Sequence, residues 1–123
     1  MKTVNYLVIL AFFMATTAFA QNEVKANQKE TTMKTYVIER NIPGAGNLTA
    51  EELKAISQTS CGVLKNIGDG IVWDHSYVVG DKIFCIYQAQ NEELVREHGA
   101  KGGFPVDAVY EVKNIISPAT AGY

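Results

Sequence analysis

Histidine and cysteine are scarce in this chain of 123 residues, with two of each. Cys61 and Cys85 are too few for a disulfide framework or a four-thiolate zinc site. His75 and His98 stand in neither an HExxH nor an HxH spacing, so no metal site is spelled out by proximity along the chain. Basic charge is also lacking. Lys plus Arg number 11 against 13 Asp plus Glu, a formal net charge of −2, which excludes the electrostatic footprint of a nucleic-acid binder. No GxGxxG, P-loop or GxSxG motif occurs. The acidic residues follow helix caps and turns and single out no acid–base pair, so no catalytic residue is read here. What the chain does have is 47% hydrophobic residues, enough for a packed core.

The one long apolar run stands at the N-terminus. Lys2 precedes an almost unbroken apolar stretch over residues 6–15, and Ala18, Phe19 and Ala20 form a small-x-small site. This reads as a signal peptide over residues 1–20. The run is shorter than the roughly 20 residues of a membrane span. The expectation is a periplasmic or secreted protein without a stable membrane anchor after cleavage, its thiols in an oxidising compartment. Residues 21–33 are polar and aperiodic and read as a flexible leader. The folded domain is expected over residues 34–120.

Within that domain the periodicity alternates between two and 3.6. Residues 34–40 (KTYVIER) alternate and are rich in strand formers. Pro43, Gly44 and Gly46 break that strand. Thr49 and Glu52 form a capping box, and Leu53, Ile56, Ser60, Val63, Leu64 and Ile67 then recur at helical spacing. Gly68 and Gly70 stop the helix. Residues 71–79 and 82–89 read as strands joined by Gly80 and Asp81, with Gly in the first central place of a type II′ turn. Asn91 caps a second helix from Glu92 to about Lys101, and residues 106–116 read as a fourth strand. The order βαββαβ predicts an α+β, ferredoxin-like sandwich, one antiparallel sheet with two helices on one face. The second face carries apolar residues, which predicts a face-to-face homodimer.

Several stretches carry a resemblance: YVIER at 36–40, LTAEE at 48–52, WDHSY at 73–77, DKIFC at 81–85, EH at 97–98, GFP at 103–105 and EV at 111–112. Together they resemble a bacterial family of small domains of unknown function often labelled nickel-binding-protein-like. The resemblance implies a dimeric ferredoxin-like fold holding nickel, or another divalent transition metal, at or near the dimer interface.

The residues themselves leave the candidate site open. Imidazole suits nickel, copper and zinc, so His75 and His98 are candidate metal ligands. The other reading of His75 is a hydrogen-bonded histidine on a covered sheet face, and of His98 a cation at the end of the second helix. Cys85 is a buried small hydrophobe, a disulfide partner of Cys61, or a soft metal ligand. A two-residue hairpin loop pairs His75 with Ile86 and Ser76 with Cys85, which sends His75 and Cys85 to opposite faces. Glu39 and Glu111 are carboxylates within apolar strands, Tyr77 and Tyr87 offer hydroxyls to a ligand, and Arg40 is the expected partner of a carboxylate. Three functional readings follow: a metal- or small-ligand-binding dimer, a cofactor-free enzyme of the dimeric α/β-barrel type by fold analogy, and a structural interaction module.

Overall fold

The computed structural model describes residues 32–123. The expected signal peptide, and all but the last two residues of the expected leader, lie outside the described residues. The chain runs β1 (Lys34–Asn41), α1 (Ala50–Ile67), β2 (Ile71–Val78), β3 (Lys82–Ala89), α2 (Glu92–Gly102) and β4 (Ala108–Glu111), with short 3-10 turns at Ala45–Asn47 and Pro118–Ala121. The sheet order is β2-β3-β1-β4, and each neighbouring pair is antiparallel. This is the α+β ferredoxin-like arrangement the pattern predicts.

Both helices start where their caps stand. The Thr49 hydroxyl accepts from the Glu52 amide at 3.2 Å, and the Glu52 carboxylate accepts from the Thr49 amide at 2.9 Å, so two orphan amides of α1 are satisfied. Asn91 Oδ1 accepts from the Leu94 amide at 3.0 Å and opens α2. Gly103 closes α2 with φ 70°, a left-handed conformation that favours glycine.

Strand alternation sorts the sheet into two faces. Tyr36, Ile38 and Arg40 of β1 and Ile83, Cys85, Tyr87 and Ala89 of β3 are all buried under the helices. Val37 and Glu39 of β1, Phe84 and Ile86 of β3, and Tyr110 of β4 take the opposite, helix-free face by register. The hairpin pairs His75 with Ile86 and Ser76 with Cys85, so His75 faces away from the helices and Cys85 towards them.

Three expectations need correction. First, Gly80 is not among the glycines with positive φ, so the two-residue loop is not type II′. Its tip is stitched to the segment after β1 instead. Gly46 N–H donates to the Gly80 carbonyl, and Ile42 N–H to that of Asp81, both at 2.9 Å, while Asp81 Oδ1 accepts from the Gly44 amide at 2.9 Å. Second, β4 is only four residues long. Its sole neighbour β1 begins at Lys34, and Tyr36 already pairs with Glu111. The ladder extends one further bond, Val112 N–H to the Thr35 carbonyl at 2.8 Å. Among the described residues the strand goes no further, and Ile115 and Ile116 are exposed. Third, β2 carries a bulge between Trp73 and His75. The extra residue, Asp74, shifts the alternation, so Trp73 shares the helix-covered face while His75 and Tyr77 share the other.

Candidate functional site

The expected stripe of α1 does turn towards the sheet, but Ser60 is its only fully buried residue. Leu53 and Ile56, in the first half of the helix, stay half-buried. Beneath them lies a cavity of about 70 Å³. Leu53, Ile56, Trp73 and Val78 give it apolar walls. Arg40, Ser57, Ser60, Ser76, Cys85 and Tyr87 bring polar groups into its lining.

Arg40 is the unusual member of this set. It is only 3% exposed, and a guanidinium stays charged in a protein. Its Nε donates to Cys85 Sγ at 3.3 Å and its Nη1 to the Pro105 carbonyl at 2.7 Å. The Phe104 ring lies 5.5 Å from the guanidinium carbon. Nη2 is buried without a hydrogen-bond partner. The expected carboxylate partner is missing for a topological reason. Glu39 sits on the opposite face and pairs with Lys82, with the Tyr110 hydroxyl donating to its Oε2 at 3.4 Å. Glu111 lies at the sheet edge between Lys113 at 2.9 Å and Lys34 at 3.7 Å. The hydrogen bond from Lys113 holds its carboxyl below the usual range.

His98 lies behind this lining, against Ser60, Tyr87 and Phe104. It is fully buried, with Nε2 3.0 Å from Ser60 Oγ and its ring between Tyr87 and Phe104, at centroid distances of 5.1 and 5.5 Å. Burial, followed by the nearby Arg40 charge, lowers its pKa to about 4. It is therefore neutral at pH 7, and the expectation of a cation at the helix end is corrected. Nδ1 is buried and unpartnered. Burial pushes the Tyr87 hydroxyl up, against the opposing influence of Ser60 and Arg40.

The sheet thus divides the candidate residues. Cys85, Tyr87 and His98 meet on the helix side. His75, Tyr77 and Glu39 stand on the other face, with the His75 ring edge-on to Tyr77 at 5.0 Å. Glu111 belongs to neither group. The two thiols are free, Cys61 exposed and Cys85 buried, because Ser60 rather than Cys61 takes the inward position on α1. Among the described residues, no three His, Cys, Asp or Glu side chains are grouped as a metal would require.

Trp73, Ser60 and the cavity itself go beyond the sequence reading. A serine within the apolar stripe of α1 was a usable signal, as was the parity of Arg40 with Tyr36 and Ile38. Trp73 gave none, because its inward position depends on the bulge.

Comparison with known proteins agrees with this architecture. The profile of the family described as "Nickel responsive protein SCO4226-like" matches residues 36–112. A search of curated proteins found no match. Among solved structures, SCO4226 from Streptomyces coelicolor A3(2) is similar at a TM-score of 0.57 and 16% identity, covering 67% of this chain and 99% of that one. At that identity the likeness speaks for the fold. With the profile spanning more than half of its length, the chain belongs to the family described as "Nickel responsive protein SCO4226-like".

Proposed function

We propose that this protein is an extracytoplasmic, dimeric binding domain that takes a small molecule into the cavity between α1 and the sheet. The observation that carries this reading is a largely apolar cavity with a few polar groups in its lining, Arg40 among them, the general form of a small-molecule site. At about 70 Å³ the cavity takes part of such a molecule, and the rest lies along the half-buried first part of α1. Trp73 is the chain's single tryptophan and lines the cavity, so its emission reports occupancy. A short-chain probe such as 1-hexanol or hexanoate is expected to change Trp73 emission and raise the melting temperature. Ser57→Phe, which fills the cavity from α1, is expected to abolish both responses. Neither probe producing a response in the wild type would overturn the reading.

Nickel does not fit this interior. The donors there are Cys85 Sγ and the His98 imidazole, but Arg40 donates to that sulfur and no carboxylate accompanies it. A divalent cation would meet a fixed positive charge without an anionic partner. The open face offers His75, whose imidazole suits nickel, and a second copy would supply the donors one chain lacks there. In this reading the family's nickel response belongs to the sheet-to-sheet contact of a dimer. The open face supports such a contact, since Val72, Tyr77 and Tyr110 on it are each at least half-exposed beside Val37, Phe84 and Ile86.

A further inference from the structure

We propose that the cavity ligand is a small monocarboxylate with an apolar body, its carboxylate held by Arg40; this rests on the small-ligand reading above. A guanidinium removed from water and left without an anion is costly. Arg40 is 3% exposed, and its two hydrogen bonds go to a thiol sulfur and a backbone carbonyl, both neutral acceptors or weak ones. The third nitrogen, Nη2, has no acceptor. Glu39 of β1 and Asp74 of β2 share strands with the cavity walls, but Glu39 is paired with Lys82 and Asp74 accepts from Gln88 Nε2 at 3.3 Å. Among the described residues no carboxylate completes Arg40, which leaves that place to the carboxylate of a bound ligand.

The surroundings narrow its chemistry. One arginine, with no second cation lining the cavity, suits a single negative charge rather than a phosphate dianion. The planar guanidinium matches a carboxylate. Leu53, Ile56, Trp73 and Val78 require the rest of the molecule to be apolar. Neutral His98 adds no charge of its own at pH 7, so Arg40 alone sets the preference.

The test compares hexanoate with 1-hexanol at pH 7 by Trp73 fluorescence, in the wild type and in Arg40→Met. The expected result is hexanoate binding at least about tenfold tighter than hexanol in the wild type. In Arg40→Met, hexanoate is expected to fall to the affinity of hexanol, while hexanol binding persists and shows that the cavity is intact. Should Arg40→Met fail to fold, Arg40→Lys and the wild-type ratio still test the preference: the variant keeps the positive charge but loses the planar fork, and is expected to lower the ratio below that of the wild type. Equal binding of the two probes in the wild type overturns the carboxylate assignment and leaves the cavity reading standing. Binding of neither overturns both.

Discussion

Arg40 and His98 are two buried side chains whose charge states govern the interior. The His98 ring has a pKa near 4 in the folded protein because burial and Arg40 disfavour its cation. In the unfolded chain it returns to about 6.5. The unfolded state therefore binds more protons between those values, and the stability contributed by neutral His98 is present above pH 6.5 and lost as pH falls towards 4. Moving from pH 7 to pH 5 is expected to cost on the order of 1–2 kcal/mol through this residue. His98→Gln keeps a hydrogen-bonding group for Ser60 without the titration. Urea denaturation at the two pH values checks this: the wild type is expected to lose more stability than the variant, and equal losses would mean that His98 does not titrate as its burial requires.

At the scale of elements, most of what holds the fold was legible. Thr49, Glu52 and Asn91 announced two helix starts because capping is local chemistry, and the alternation of residues 34–40 and 82–89 gave both central strands. The hairpin register followed from loop length, and with it the separation of His75 from Cys85. The type of that turn did not follow, because contacts from residues 42–46 shape it. Nor did the length of β4, which depends on where its neighbour ends, or the bulge at Asp74, which moves Trp73 into the cavity. The site was the less legible part for the same reason: Arg40, Ser60 and Trp73 become neighbours only through pairing and register. The turn after α2 is a further non-local element. A Cβ at Gly99 would run into Val106 Cγ2 and approach the Phe104 carbonyl at 3.2 Å. Gly99→Ala is expected to destabilise the domain by about 1–3 kcal/mol through overpacking. It should also loosen Arg40, whose Nη1 is held by the Pro105 carbonyl in that turn. Thermal melting with and without hexanoate checks both effects, and an unchanged melting temperature would mean that the turn gives way freely.

The whole molecule is a two-sided sheet, with a helix-covered interior that suits a small anion and an open face that suits another copy of itself. The open face leads to the expectation of a dimer at micromolar concentration. Phe84→Glu, which places a charge in the centre of that face, is expected to give a folded monomer in light scattering. If nickel is held between copies, His75→Ala and Phe84→Glu should each remove it in calorimetry while His98→Ala spares it. A monomeric wild type would remove the basis for that arrangement. The interior claim is independent of the dimer. It is tested most directly by a crystal structure of the protein grown with hexanoate. The expected result is a carboxylate oxygen within hydrogen-bond distance of Arg40 Nη2, with the chain lying against Leu53, Ile56 and Trp73. A cavity that stays empty at saturating hexanoate, or a carboxylate turned away from Arg40, would contradict the account.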